Sequence, residues 1–76
     1  ESASNKSYSQ QVAHFYCELA LINYQTGHLQ AALKQVKKAL GTDRQSVRAS
    51  ILEGEINQKL GNCKAATRAY RRVEPQ

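Results

Sequence analysis

Two histidines and two cysteines are the residues of this chain best suited to metal or covalent chemistry. His14 and Cys17 are three positions apart, so on one helix their side chains would share a face and could both contact a metal ion. A structural zinc site needs about four ligands, and His28 and Cys63 lie elsewhere without a paired spacing. The pattern therefore predicts no metal and no cofactor. It predicts instead that Cys17 is a small groove residue, Cys63 a packing residue and His28 a solvated turn residue.

Catalytic motifs are also missing from the sequence. Nucleophilic catalysis requires a nucleophile and a base held close together. The chain has no Gly-x-Ser-x-Gly motif, no glycine loop of the kind that binds phosphates, and no Ser/His/Asp arrangement. We therefore expect a protein that is not an enzyme and has no catalytic residues.

Basic residues outnumber acidic ones and recur in two similar stripes. Eleven Lys and Arg against six Asp and Glu give a formal charge of +5, which makes a polyanion a candidate partner. No aromatic residues that could stack on bases are interleaved in these stripes, which disfavours nucleic acid. An anionic membrane surface, an acidic protein or a solvated helix face remain open. The stripes are Lys34, Lys37 and Lys38, then Arg68, Arg71 and Arg72.

Length and composition set the class of protein. Seventy-six residues allow one small domain with little margin of stability. No apolar run approaches the roughly 20 residues of a membrane span, so membrane insertion of this segment is not expected. Only two thiols are present, which is typical of a reducing compartment and predicts a cytoplasmic location.

A phrase of the sequence recurs with a period of 34 residues. The segment "GHLQAALKQVKKAL" begins at Gly27, and "GNCKAATRAYRRVE" begins at Gly61. Further identities in the same register are Ile22/Ile56, Asn23/Asn57, Ala31/Ala65 and Ala32/Ala66. A period of this length is typical of one supersecondary unit that stacks on its neighbours to cover its apolar face.

Within each unit the periodicity is that of two helices. Apolar residues at three-and-four spacing predict a first helix over about 9–26, ended by Gly27, and a second helix ended by Gly41. The second unit follows the turn "TDRQS", where Asp43 and Ser46 can accept hydrogen bonds from free helix amides. The predicted inward-facing residues are Val12, Phe15, Tyr16, Leu19, Ala20 and Asn23, then Leu29, Ala32, Leu33, Val36 and Leu40, and finally Cys63, Ala66, Tyr70 and Val73.

This pattern resembles the tetratricopeptide repeat, which places two helices in each 34 residues. The residues that carry the resemblance are Tyr16, Ala20, Gly27, Ala32, Gly54, Gly61, Ala66 and Tyr70. The second unit departs from that family at Ser50 and Glu53, where an aromatic and a leucine are usual, which predicts a looser unit. We therefore predict an all-α fold of two tandem helix-turn-helix units with four antiparallel helices, cut from an α-solenoid. Repeat one would cover about 13–46 and repeat two about 47–76, after a flexible lead-in at 1–7 and with Pro75 stopping the last helix.

The resemblance also implies where a ligand would bind. In this repeat family the first helix of each unit lines a concave face that accepts extended or helical peptides. The ligand implied is therefore a protein or peptide. The corresponding groove candidates are His14, Cys17, Leu21, Tyr24, Arg48, Ile51, Glu55 and Gln58.

A narrower resemblance lies in the string "AHFYCELA" and in "DRQSVRASILEGEI" and "AYRRV". These segments are similar to a family of bacterial tetratricopeptide adaptors that regulate lipopolysaccharide synthesis. Its members are anchored to the inner membrane, face the cytoplasm, and help a membrane protease degrade the deacetylase that commits carbon to lipid A. The resemblance implies a scaffold within such an adaptor. The alternative is a basic helical-repeat module that binds nucleic acid or an anionic surface.

Two repeats are fewer than such arrays usually need. Stable arrays generally have about three units or a capping helix. We therefore expect exposed apolar surface at the ends, including parts of the side that carries Leu33, Tyr70 and Val73, and self-association of the chain through those ends.

Overall fold

The computed structural model describes residues 8–73, which form four α-helices in two packed pairs. The helices are α1 (Tyr8–Gln25), α2 (Leu29–Thr42), α3 (Val47–Lys59) and α4 (Cys63–Arg71). We call α1 with α2 unit one and α3 with α4 unit two; α3 also packs against both helices of unit one. Residues 8–73 contain no strand, so the predicted all-α fold of two tandem helix pairs is confirmed. The predicted lead-in at 1–7 and helix stop at Pro75 lie outside the described residues.

Both units reverse direction through the same backbone motif. Gly27 and Gly61 each have φ +84°, a left-handed conformation that costs glycine little because it has no Cβ. In unit one the His28 amide donates to the carbonyl of Asn23 at 2.8 Å, and in unit two the Asn62 amide donates to that of Asn57 at 2.8 Å. This is the bonding pattern of a glycine-terminated helix, in which the residue after the glycine bonds back over five positions. The predicted turn function of both glycines is confirmed.

The connection between the units differs from the prediction at Gly41. This glycine lies inside α2, which continues to Thr42, and its φ is not positive. The residue after Thr42, Asp43, has an extended backbone and ends the helix. Its Oδ1 accepts a hydrogen bond from the Gln45 amide at 3.2 Å. Ser46 then caps α3, since its Oγ accepts from the Ala49 amide at 3.1 Å. Turn-forming polar side chains, and not a glycine, therefore end α2.

The core between the helices is built mainly from small side chains. Seven of the eleven buried apolar residues are alanines, and Ile56 and Val36 are the largest apolar side chains that are fully buried. The alanines of the repeat signature, Ala20, Ala32 and Ala66, are all buried. Small side chains let helix backbones approach closely. The repeated alanines therefore mark the contacts within and between the helix pairs, which accounts for the recurrence of the phrase.

The inner face of α1 is only partly the predicted one: Ala20 is buried and Tyr16 packs against the core as predicted, but the face is turned away from Phe15. Ala13, Cys17 and Ala20 are its buried residues. Phe15, predicted to face inward, is 59% exposed. α1 has apolar residues on two faces, and periodicity alone does not show which face packs on the rest of the molecule.

The exposed apolar surface and the packing of α4 also differ from the prediction. Cys63 begins α4 and is exposed, whereas Ala66 and Ala69 are its buried residues. Leu33, Tyr70 and Val73 are half-buried. The large apolar side chains that the described structure leaves exposed lie instead on α1 and α3: Tyr8, Phe15, Ile22, Val47 and Ile51.

Candidate protein-binding groove

The first helices of the two units, α1 and α3, together form an open pocket with an apolar floor. The pocket has a volume of about 500 Å³, which matches the size of sites that hold a few side chains of a ligand. Its lining residues are Leu21, Val47, Arg48, Ile51, Leu52 and Glu55. We call the α1/α3 side that contains this pocket the groove. Ile51 is 39% exposed and Val47 56% exposed, so apolar surface is available there to a partner.

Arg48 links the two helices at one end of the groove. Its Nη2 donates to Oε2 of Glu18 at 2.7 Å, and its Nη1 lies 3.2 Å from Nδ1 of His14. A guanidinium can only donate, so Nδ1 of His14 is the acceptor, and Nε2 of that ring faces Glu18 at 3.6 Å. His14 and Arg48 are 34 positions apart, and hence occupy equivalent places in the two units. The contact therefore joins α1 to α3 at this end.

A second pocket continues the groove at its other end. It is lined by Tyr24, Glu55, Gln58, Lys59 and Tyr70. The hydroxyl of Tyr70 donates to Oε1 of Gln58 at 3.3 Å. Burial raises the pKa of the Tyr70 phenol, and the charge of Glu55 and the nearby Tyr24 raise it further. Tyr70 therefore stays protonated and can act as a donor across the physiological pH range.

The structure thus brings together seven of the eight predicted groove residues on the α1/α3 side. Leu21, Arg48, Ile51 and Glu55 share the first pocket. Tyr24 and Gln58 share the second. His14 lies beyond Arg48, beside Gln10, Gln11 and Asp43.

Cys17, the remaining candidate, is a core residue and not a groove residue. Only 1% of it is exposed, so a ligand in the groove does not reach its thiol. Burial raises the pKa of the Cys17 thiol, although the charge of Arg48 and a hydrogen bond with Ser46 partly oppose this effect. A protonated thiol in an apolar contact is a weak nucleophile and a poor metal ligand.

Several residues of the groove were missed from the sequence, including Lys59 and Tyr70 in the second pocket. Val47 and Leu52 line the first pocket, and Glu18 binds Arg48. Val47 lies four residues before Ile51, so the helical spacing could have revealed it. Glu18 lies four residues after His14, but only the packing of α1 on α3 shows that its charge meets Arg48.

Within residues 8–73 no three His, Cys, Asp or Glu side chains cluster in a way that could hold a metal ion. His28 is exposed in the turn before α2, and its Nδ1 lies 2.9 Å from Oγ1 of Thr26. No helix of the described chain combines the length and apolarity needed to cross a bilayer.

Charge is distributed unevenly between the helices. The second helices of the units, α2 and α4, contain six Lys and Arg and no Asp or Glu. The predicted basic stripes are all exposed; Lys38 lies with Nζ 5.7 Å from the centre of the Tyr16 ring, and Arg72 donates to Glu53 at 2.9 Å. We call the exposed Lys and Arg of α2 and α4 the basic face. The groove, by contrast, carries charges of both signs.

Two tandem helix pairs in a 34-residue register, with a groove along their first helices, form an all-α helical-repeat architecture that is compatible with the tetratricopeptide pattern. The narrower resemblance seen in the sequence, to bacterial proteins of lipopolysaccharide synthesis, is confirmed by known proteins. The chain is 36% identical over 66 residues to lipopolysaccharide assembly protein B of Escherichia coli K12, and equally to the same protein of strains O6:H1 and O157:H7. The matched region is 87% of this chain and 17% of each relative, so the chain spans about a sixth of their length. No protein-family profile matches the chain, and no solved structure matches it.

Proposed function

We propose that this helical module is a protein-binding scaffold without enzymatic activity, and that its groove accepts apolar side chains of a partner peptide or helix. The observation that carries the proposal is the open pocket between Leu21 and Ile51, whose floor is apolar and whose edges carry Arg48 and Glu55. Desolvation of such apolar residues on binding supplies affinity. The two charges of opposite sign supply orientation, because a partner must match both.

The biological setting that we propose follows from the relatives. They are lipopolysaccharide assembly proteins, and the chain corresponds to one part of such a protein. We infer that the segment serves a bacterial adaptor that regulates lipopolysaccharide synthesis, through proteolysis of the lipid A deacetylase. In this proposal it acts in the cytoplasm, within a protein anchored to the cytoplasmic face of the inner membrane. The groove would then contact the protease, the deacetylase or another part of the adaptor.

The proposal is tested by a binding measurement with purified deacetylase and protease. Ile51→Glu places a charge on the pocket floor, and Tyr24→Ala with Arg48→Ala removes polar contacts from both ends of the groove. Both variants should bind at least about tenfold more weakly if the groove contains the energetically dominant contacts. Ile22→Glu makes a similar change on an exposed residue outside the groove and should bind like the unmodified chain. Equal binding by all variants would show that the groove is not the contact surface.

A second function, binding to an anionic surface, is favoured by the basic face. Six cationic side chains without an interspersed carboxylate attract polyanions and acidic lipids. Sedimentation with vesicles of anionic lipid, and titration with mixed oligonucleotides, at two salt concentrations measure this directly, because contacts with phosphates depend steeply on salt. Lys37→Glu with Arg71→Glu should abolish such binding and leave the groove unaffected. Absence of binding to both probes at low salt would remove this candidate.

A further inference from the structure

A continuous apolar strip runs along the outer side of α1, away from the core and from the groove. Its residues follow a spacing of four, three, four and three, which keeps them on one face of a helix over its whole length. We call this strip the α1 seam; it consists of Tyr8, Val12, Phe15, Leu19 and Ile22. Tyr8 is 82% exposed, Phe15 59% and Ile22 56%. Val12 and Leu19 between them are half-buried, so the described chain covers the seam only in part.

The equivalent positions in unit two show what kind of surface the seam is. The 34-residue offset carries Phe15 onto Ala49 and Ile22 onto Ile56. Ala49 and Ile56 are both fully buried, in a core cluster that they share with residues of unit one. In this fold the outer side of a unit's first helix is therefore a surface that other helices cover. In unit one the same surface carries larger apolar side chains, and three of them, Tyr8, Phe15 and Ile22, are left exposed by residues 8–73.

The seam is also nearly symmetric about its central residue. Tyr8 and Ile22 lie seven positions on either side of Phe15, and Val12 and Leu19 lie three and four positions away. An antiparallel contact between two copies of α1, centred on Phe15, therefore keeps all five side chains in the interface. A shift along the helix leaves an end of each seam exposed. This self-complementarity is what a two-fold contact requires.

Charge favours a second copy at the seam and disfavours other contacts between copies. α1 contains no Lys or Arg, and Glu18 is its one carboxylate. A contact through α1 therefore avoids the repulsion that two basic faces would meet in a protein of net charge +5. A head-to-tail contact would place Phe15 and Ile22 against the outer side of α4, which carries Thr67, Arg68 and Arg71. Burying those arginines without partners is unfavourable.

We propose that the α1 seam binds the α1 seam of a second copy of this chain, in an antiparallel two-fold contact centred on Phe15. The antiparallel direction also places the amino end of each α1 beside the carboxyl end of the other, which is the favourable arrangement of helix dipoles. The contact leaves the groove and the basic face of both copies open. The sequence predicts self-association of the chain, and this contact assigns that self-association to the α1 seam.

The first test is the mass of the chain in solution, measured by sedimentation equilibrium over a series of concentrations. The unmodified chain should approach twice the monomer mass as concentration rises. Phe15→Glu should weaken dimerisation by at least about tenfold, since it places two like charges at the two-fold axis. Val47→Glu is the matched control: Val47 is as exposed as Ile22, 56% in each case, but it lies in the groove, so this variant should dimerise normally.

Disulfide cross-linking tests the geometry of the contact, in a Cys63→Ser background with oxidised glutathione as the oxidant. Phe15→Cys should form a disulfide-linked dimer, because residue 15 faces its own copy. Tyr8→Cys alone should remain monomeric, whereas Tyr8→Cys mixed with Ile22→Cys should form the mixed dimer. Cross-linking of Tyr8→Cys with itself would indicate a parallel contact and overturn the proposed arrangement.

Each outcome separates this inference from the proposed function. A chain that stays monomeric at every concentration, with circular dichroism that shows a folded state, would overturn the inference; the seam would then serve another helix pair of a longer protein. Such a result would leave groove binding intact, since Ile51→Glu acts on a different surface. Conversely, Phe15→Glu should leave partner binding unchanged even where it abolishes the dimer.

Discussion

The ring of Tyr70 lies directly over the backbone of Gly54 and occupies the space that a Cβ at that place in α3 would need. A Cβ built on Gly54 would be 2.5 Å from Cε1 and 2.7 Å from Cζ of the ring. In unit one the equivalent pair is Ala20 with Val36, and both are fully buried. Unit one therefore fills this space with an alanine on its first helix and a valine on its second. Unit two fills it with a glycine on its first helix and a tyrosine ring from its second.

Gly54→Ala should destabilise the chain, although alanine is normally the better helix residue. Alanine would gain about 1 kcal/mol in helix propensity, but the clash with Tyr70 should cost about 1–3 kcal/mol. Urea denaturation should show a lower midpoint. Gly41→Ala is the matched control, because Gly41 is also helical and a Cβ there meets nothing within 4 Å; it should stabilise. In a Tyr70→Val background the cost of Gly54→Ala should disappear, and a cost that persists would mean that the ring is not its cause.

Removal of the Ser46 hydroxyl should destabilise α3. Ser46→Ala takes away the acceptor of the Ala49 amide, which lies 3.1 Å away, and loss of such a cap costs about 1 kcal/mol. Ser46→Asp retains an acceptor and should lie closer to the unmodified chain. Asn62→Ala at the start of α4, where the equivalent bond is 3.4 Å, should cost less. Thermal unfolding followed by circular dichroism measures all three, and equal stability of Ser46→Ala would show that the cap contributes nothing.

The two arginine–carboxylate pairs of the described chain should differ in strength because their carboxylates differ in exposure. Glu53 has a side chain 12% exposed beneath Arg72, whereas Glu18 is 46% exposed beside Arg48. Glu53→Gln should cost about 1 kcal/mol, because it weakens a charge-assisted bond whose acceptor is largely shielded from water. Glu18→Gln should change stability by at most about 0.5 kcal/mol. Urea denaturation at low and high salt tests this: only the smaller Glu18 effect should fade with salt, and the reverse ranking would contradict the explanation.

The two cysteines should react very differently with a thiol reagent. Cys63 is exposed and Cys17 is buried, so one thiol per chain should react quickly at neutral pH and the second only on unfolding. Burial also raises the pKa of the Cys17 thiol. The unfolded chain loses that proton near pH 8.5, whereas the folded chain keeps it. Stability from this group is therefore complete below about pH 8.5 and falls as pH rises through the folded pKa.

The pH effect is checked by measuring the free energy of unfolding across the alkaline range. Cys17→Ala should flatten the first part of the decline, although its core contact is smaller. Cys63→Ser should keep the pH dependence of the unmodified chain. If Cys17→Ala and the unmodified chain decline in parallel from neutral pH upward, titration of Cys17 is not the cause.

The sequence predicted the reversals of the chain better than the faces of its helices. Gly27 and Gly61 could be recognised because a tight reversal needs a positive φ at one position, which is a local requirement. Gly41 looked similar but lies in a helix, since Asp43 and Ser46 supply the hydrogen bonds that end α2 and begin α3. A glycine therefore marks the end of a helix only where no nearby polar side chain ends the helix instead.

The location of most candidate groove residues on the α1/α3 side was predictable, and the position of Cys17 was not. Seven groove residues follow from the repeat register, which fixes the directions of side chains on α1 and α3. Cys17 lies at the boundary between the groove and the core, where a small rotation of α1 decides its exposure. Two apolar faces of α1 could pack inward, one carrying Ala13 and Ala20 and the other carrying Phe15. The tertiary contacts of α1 decide which of them does, and the sequence of the helix alone does not show this.

The alanine-rich interior separates the requirements of folding from those of recognition. Because the helices are held together by closely spaced methyl groups, almost any enlargement along the inner stripes would push them apart. The outward positions are under no such restriction. Mutation can therefore rewrite the chemistry of the groove, the basic face or the α1 seam while the architecture persists, so a module of this kind can acquire new partners over evolutionary time without passing through an unfolded ancestor.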